Sequence, residues 1–530
     1  MSEAVTHTIA KSSGWLDPLL REWLPRQRWF AGKGRPVTGF TPVAATELLP
    51  LDSNLGLLHL LVRTHQPLVP AQGAPAVPAD CYQLLIGVRE TLPPRLAPAL
   101  IGHVTEGPLA GRTVYDALHD PRLADVLLEA LRTEARVGEL RCERDLDHRI
   151  AEHLVPRLVT SEQSNSSIVY GDTFILKLFR RVVAGANPDL ELPLLLSREG
   201  CRRVPAPAAW MLADLDSVGG NGSGSGSASG SDFVSGSGSG SGSSPGSGSG
   251  SVSGDGTHVL GVLQPYLQGA ADGWELALSV LAKGEDFTAE ARALGRTTAE
   301  VHTALARALP TVTFGRAQLE ALVDGMTERL DAAAQAVPAL RPYAPGLHTA
   351  FEALADLAAE GRSWTAQRIH GDLHLGQCLR SPSGVGDDAG PASVSASASA
   401  SASDSASASA SPSGEWSLID FEGEPAKPLA ERRMPQPVAR DIAGMLRSFD
   451  YAAHSVQPPA TDWAALCRAA YCSGYAEVAG ADPRTDPVLL RAFETDKAVY
   501  EVLYEARHRP DWLQVPLTAV RRLAAGADVP

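Results

Sequence analysis

Apolar positions change period along the chain, and the changes predict its elements. Trp15, Leu19, Leu20, Trp23 and Leu24 recur at helical spacing, and Pro25 ends that run. Segments 57–63 and 81–88 read as strands, with a Pro/Ala-rich connection between them. Leu and Val spacing over 123–140 predicts a helix. Two β-rich runs, 167–170 and 173–179, flank Gly171-Asp172, a strong hairpin cue. Segments 208–212 and 259–263 are again strand-like. From Phe287 the period shifts to i, i+3, i+4, and helices are predicted over 289–306, 317–336, 347–360, 438–453, 463–478 and 488–506.

Two tracts break this pattern. Residues 217–256 are mostly Gly and Ser, and 381–414 are mostly an Ala-Ser repeat. Neither can bury apolar surface, so both are expected to be disordered. Each lies between two strand-like runs and reads as an enlarged turn, because closing a longer flexible loop costs only about 0.6 kcal/mol per doubling. The resulting plan is a frayed N-terminus (1–15), a small α/β domain (16–150), a β-rich region (151–268) and a helical region (269–530).

Composition narrows the function. A net charge of -15 argues against general binding to nucleic acid or an anionic membrane. Six cysteines without a paired C-x-x-C fit reduced thiols in a cytoplasm. The first fifteen residues lack the apolar core of a signal peptide, and no uncharged apolar run is long enough to span a bilayer. A soluble cytoplasmic protein, and a monomer, is expected.

The candidate chemistry lies in Gln367-Arg368-Ile369-His370-Gly371-Asp372-Leu373-His374-Leu375-Gly376-Gln377 and in Ile419-Asp420-Phe421-Glu422-Gly423-Glu424. Each stretch sets a carboxylate just past a short apolar run. Phosphoryl transfer uses one Asp to orient the attacking hydroxyl and take its proton. A second Asp and an amide oxygen hold magnesium. Asp372 fits the first role; Asp420 and Gln377 fit the second. Lys177 alternates with apolar neighbours in Ile175-Leu176-Lys177-Leu178-Phe179, and a lysine so placed either points to solvent or needs a partner. A kinase-type site gives it the α/β-phosphates and a helix Glu, Glu191 or Glu199. Ser164, Asn165, Ser166 and Ser167 precede that strand, where small polar residues let backbone amides approach phosphates. Gln264 and Tyr266 fall where adenine would be met by the backbone.

His370-Gly371-Asp372-Leu373-His374 resembles the aminoglycoside-phosphotransferase and choline-kinase branch of the kinase-like fold. Three further strings resemble actinobacterial maltokinases more closely: Leu24-Pro25-Arg26-Gln27-Arg28-Trp29-Phe30-Ala31-Gly32-Lys33, Glu162-Gln163-Ser164-Asn165-Ser166-Ser167, and Asp420-Phe421-Glu422-Gly423-Glu424-Pro425. The resemblance implies an α+β, bilobal protein-kinase-like fold, with a small β-rich lobe, a large helical lobe and an N-terminal cap. It implies ATP and Mg2+ as cofactors, the anomeric hydroxyl of maltose as acceptor, a product feeding α-glucan synthesis, and trehalose synthase as a partner. Most of the wider branch has Asn where Gln377 stands; maltokinases resemble this chain there.

The resemblance also favours a sugar site near the C-terminus. Tyr500 and Tyr504 lie i, i+4 on one predicted helix, as do Glu501 and Glu505, with Arg507 following. Tyrosines packed into a core explain the same spacing. His374 and Glu424 complete the expected acceptor contacts. The rival readings are a kinase of glucosamine or an aminoglycoside, and a non-catalytic kinase-like scaffold. Intact Asp372, Asp420 and Lys177 argue against the scaffold. Asp441, near a predicted helix start, reads as a buttress of the catalytic loop. Arg26, Arg28 and Lys33 read as a solvated turn beside Trp29 and Phe30.

Overall fold

The computed structural model describes residues 13–67, 80–159, 164–215, 256–382, 415–424 and 427–526. The expectations for residues 1–12, for Gln163 and for all but the edges of the two low-complexity tracts lie outside them. The chain clusters into two compact units, 1–187 with 208–263, and 188–207 with 264–530.

The first unit holds two antiparallel sheets. Helix α1 (Asp17–Trp23) leads into β1 (Gly39–Leu49), β2 (Gly56–His65), β3 (Cys81–Arg89), β4 (Leu100–His103) and β5 (Thr113–Asp116). Their order is β1-β2-β3-β5-β4. Leu16, Leu20, Leu24 and Phe30 bury against Leu58, Leu60, Leu84 and Ile86 of this sheet, so the aromatic string after α1 is a core anchor. Helix α2 (Pro121–Arg132) follows, capped by the Asp120 side chain on the Arg122 amide.

The second sheet is built from β6 (Arg136–Val137), β7 (Leu140–Arg144), β8 (Pro156–Val159), β9 (Ser166–Tyr170), β10 (Phe174–Leu178), β12 (Ala209–Asp214) and β13 (Thr257–Pro265), in the order β6-β7-β12-β13-β10-β9-β8. Short β11 (Arg181–Val182) pairs with β3 of the first sheet. The Gly171-Asp172 hairpin forms as expected, with φ of 53° and 51° and the Thr173 amide bonding the Tyr170 carbonyl at 3.0 Å. The helix expected over 123–140 stops at Arg132, because Val137 and Leu140 continue its apolar spacing while belonging to a hairpin. That hairpin places β6 and β7, from the 16–150 range, in the second sheet. The 217–256 tract joins β12 to β13, which pair antiparallel from Ala209–Leu263 to Asp214–Thr257.

The second unit is mainly helical. It comprises α3 (Pro188–Arg198), β14 (Ala271–Asp272), α4 (Gly273–Ala282), α5 (Thr288–Ala308), β15 (Val312–Phe314), α6 (Arg316–Ala336), α7 (Ala344–Ala359), β16 (Trp364–Ala366), β17 (Cys378–Arg380), β18 (Trp416–Leu418), α8 (Leu429–Arg432), α9 (Ala439–Ala453), α10 (Thr461–Ala479), α11 (Pro487–His508) and α12 (Gln514–Ala524). One core runs through it, including Leu294, Met326, Leu330, Phe351, Phe449 and Val502. Helix α3 lies in the range read as the β-rich region. It clusters here instead because Leu192 and Leu196 bury in this core. The 381–414 tract joins β17 to β18, which pair antiparallel. All six cysteines are free. Among the described residues no helix is long and apolar enough to cross a membrane.

Candidate active site

The loop after β16 is held from both ends. Gln367 and Gln436 exchange backbone hydrogen bonds of 3.0 and 2.7 Å, and the Gln367 amide donates to the His302 carbonyl at 2.7 Å. In the middle, buried Asp441 accepts from the amides of His370 and Gly371, each at 2.8 Å. Its Oδ2 also meets His302 Nε2 at 3.0 Å, and His302 Nδ1 meets the Tyr475 hydroxyl at 3.0 Å. Burial raises the Asp441 carboxyl, but His302, His370 and the Gly371 amide outweigh it and hold it below its ordinary value. Asp441 is thus the buttress its position suggested. Gly444, one turn on, is required by close approach: a Cβ there would meet the Leu373 carbonyl at 2.5 Å. His370 braces backbone, with Nε2 donating to the Ile419 carbonyl at 2.8 Å.

The β17–β18 hairpin brings the second stretch to the first. Ile419 N bonds the Gln377 carbonyl at 3.0 Å, and the Gln377 amide donates to Asp420 Oδ2 at 3.0 Å. Asp420 has φ of 65°, a conformation that costs a non-glycine residue energy and that clusters at functional sites. Asp189, at the start of α3, accepts from the Phe421 amide at 2.7 Å. The carboxylates of Asp189, Asp420 and Glu422 offer oxygens within 4.8 Å of one another. Hard carboxylate oxygens and an amide oxygen suit Mg2+, so these residues fit the cofactor expected from the sequence.

Asp372 opens on a cavity of about 210 Å³, lined also by Glu424, Lys427, Arg440, Arg329, Phe493, Asp496, Lys497 and Tyr500. Lys497 Nζ lies 3.0 Å from Asp372 Oδ1 and 3.8 Å from Glu424 Oε1. Glu424 also pairs with Arg440 at 2.9 Å and Lys427 at 3.2 Å, and Asp496 pairs with Arg329 at 2.8 Å. Burial pushes the Glu424 carboxyl up, yet Arg440, Lys497 and Lys427 bring it down to about 2. Burial lowers the Lys497 ammonium, but Asp372, Glu424 and Glu501 overcome this and raise it.

The remaining sequence-predicted residues fall elsewhere. Tyr500 lines the cavity with Asp372 and Glu424, while Tyr504, Glu501, Glu505 and Arg507 do not. Glu501 is buried and takes both Nε and Nη2 of Arg447, at 2.9 and 2.7 Å. Glu505 is buried in a pair with Arg509 at 2.6 Å and accepts from Tyr451. Helical spacing put the two glutamates on one face, but that face points into the core. Tyr504 is 40% exposed, stacks on Tyr500 and packs at a tilt against His508, and Arg507 is exposed. His374 caps the turn before Gln377 by accepting from the Gly376 amide, and burial lowers its imidazole.

In the first unit, Ser166 and Ser167 are strand residues of β9 rather than turn residues, and Ser167 pairs with Lys177 across the ladder. The Ser166 hydroxyl accepts from Arg180 at 2.8 Å. Ser164 and Asn165 precede the strand. Lys177 is half-buried, with its ammonium 5.6 Å from the Phe179 ring centre. Glu191 was a candidate for its partner. Instead its two oxygens are taken by Arg368 at 3.0 Å and Arg433 at 2.9 Å, within the second unit. Gln264 lies at the end of β13 and Tyr266 just beyond it, where the chain leaves the first unit. Sequence reasoning missed Lys497, Arg440, Lys427, Arg329, Asp496 and Asp189. For Lys497 a signal was present: it sits three residues before Tyr500 and four before Glu501, on one side of the same helix.

One helical unit carrying an H-G-D loop and a D-F-E loop, and one unit with two antiparallel sheets, make up a kinase-like fold. The maltokinase N-terminal cap domain family model matches residues 23–120. The chain is 29% identical over 281 residues to a glucosamine kinase of Streptacidiphilus jiangxiensis, covering 49% of this chain and 56% of that one. It is 25% identical over 390 residues to a glucosamine kinase of Mycolicibacterium smegmatis, covering 69% and 79%. Among solved structures it is similar to a glucosamine kinase in complex with glucosamine, ADP and inorganic phosphate, with a TM-score of 0.58 at 20% identity over 96% of this chain and 98% of that one. A second glucosamine kinase crystal form gives 0.61 at 20% identity, over 96% and 99%. The structural likeness carries the fold, and the cap match and the relatives together mark the chain as maltokinase-like.

Proposed function

We propose that the protein is an ATP-dependent sugar kinase that phosphorylates maltose at its anomeric hydroxyl. The observation that carries the kinase reading is the opening of Asp372 onto a cavity, on the same loop as Gln377, which bonds Asp420. The Asp372 carboxylate orients the acceptor hydroxyl and takes its proton, and an anomeric hydroxyl is acidic enough for a carboxylate acceptor. Lys177 bonds α/β-phosphate oxygens, and the Ser164–Ser167 segment contributes backbone amides. Asp420, with Asp189, Glu422 and the Gln377 amide oxygen, would hold Mg2+. When bound, Mg2+ neutralises charge on the ATP phosphates. Catalysis is positioning and electrostatics.

Maltose is favoured by the cap match and by the charge balance of the cavity. Asp372, Glu424 and Asp496 each already face a lysine or arginine, and Asp441 faces His302 and two backbone amides, so among the described residues lining the cavity no carboxylate is left unpaired for a cationic amino group. The names of the relatives favour a second reading, transfer to glucosamine. A coupled assay of ADP release with each acceptor separates them. Turnover with maltose at least tenfold above glucosamine, lost in Asp372→Asn, is expected; the reverse preference would replace the acceptor.

A further inference from the structure

Asp372 must keep one orientation while an anionic phosphoryl group approaches it. Glu424 lines the same cavity, and two carboxylates facing one space repel unless a cation stands between them. Among the described residues, the side chain that bonds the Asp372 carboxylate is Lys497, at 3.0 Å. The same ammonium is 3.8 Å from Glu424.

Lys497 is itself held in place. It lies on α11, one turn before Glu501, which is locked by two bonds from buried Arg447. Its ammonium is 5.2 Å from the Tyr500 ring centre. The side chain is thus held by Asp372, Glu424 and the Tyr500 ring, on a helix of 22 residues. Glu424 does not depend on it, since Arg440 and Lys427 pair with Glu424 at 2.9 and 3.2 Å. Among the described residues Asp372 has no such reserve.

We propose that Lys497 is a positioning residue for the transfer step, fixing and charge-balancing the Asp372 carboxylate rather than binding the acceptor. This deepens the reading of Asp372 above and rests on it. The role predicts a dependence that a packing role does not have: Lys497 matters only while Asp372 is a carboxylate.

Steady-state kinetics of the full chain test this, with whichever of maltose or glucosamine the wild type turns over faster. In Lys497→Met, kcat is expected to fall about 10²-fold, the cost of a misplaced reacting group, with acceptor KM changed by less than about threefold. Lys497→Arg, which keeps the charge, should recover most of that loss. In the Asp372→Asn background, Lys497→Met should cost no more than about twofold further, because residues acting as one unit are not additive. Should K497M fail to fold, E424Q/K497M, which also removes the second carboxylate, takes its place in the same cycle. A rise in KM with kcat kept would make Lys497 an acceptor ligand and overturn the proposal. Multiplying losses in the double variant would overturn it equally. A wild type that transfers phosphate to neither sugar would instead sink the reading of Asp372, and the inference with it.

Discussion

Replacing Asp441 by alanine removes the acceptor from which the catalytic loop hangs. The carboxylate takes two backbone amides at 2.8 Å and His302 at 3.0 Å, and it is 1% exposed. An orphaned buried donor costs about 1–3 kcal/mol, so losing partners for His370 N and Gly371 N costs roughly 2–6 kcal/mol, with His302 adding to it. Water entering the gap keeps the sum at the low end. Asp441→Asn keeps one carbonyl oxygen and should lose about half as much. Because the folded carboxyl lies below its ordinary 3.8, the stabilisation is complete above that value and is lost only as pH falls through the lower folded one. The effect is therefore flat across neutral pH. Amide hydrogen exchange read on a peptide spanning 367–377, beside turnover, measures it. Exchange at His370 and Gly371 should speed by about 10²-fold or more in Asp441→Ala, since each 1.4 kcal/mol is tenfold. Turnover should fall with it, as Asp372 is the next residue. Unchanged exchange and turnover would refute the buttress.

Other expectations follow from the same geometry. His59 is buried against Gln83 and its imidazole is lowered by burial to about 4, so the unfolded chain binds the extra proton between pH 6.5 and 4 and about 3 kcal/mol of stability is lost on acidification through that window; His59→Gln should reduce the slope of stability against pH by about one proton, and an unchanged slope in denaturant titrations would count against it. Chelation by EDTA should abolish transfer, and Asp189→Asn should raise the Mg2+ concentration needed for half-maximal rate by about tenfold or more; the same magnesium dependence as the wild type would remove Asp189 from the site. Replacing both low-complexity tracts by short turns should leave kcat within about twofold, because β12–β13 and β17–β18 are already paired at their ends; a folded, trimmed protein with little turnover would contradict this.

The long helices were legible because α5, α6, α7, α9, α10 and α11 each keep a 3.6-residue apolar period over fifteen or more residues. So was the hairpin at Gly171-Asp172, where two residues need positive φ. Strand β1 was missed because Pro42 interrupts its alternation and shifts the register at Ala44. Helix α2 was extended too far because Val137 and Leu140 mimic another turn. In the site, the motif carboxylates could be named from spacing within one loop. The cations could not: Lys497, Arg440 and Arg329 reach the cavity from three helices far apart in sequence, and nothing local distinguishes them from solvated surface charge. Glu501 and Glu505 show the opposite error. Their spacing was correct, but which face of α11 points to the core is set by packing against α9.

The most direct test of the account is phosphorus NMR of the product formed from ATP-Mg with maltose, glucosamine and kanamycin offered separately, with Asp372→Asn as control. An acid-labile glycosyl phosphate is expected from maltose and should be absent in the control. A stable phosphate monoester formed from glucosamine or kanamycin, with none from maltose, would contradict it.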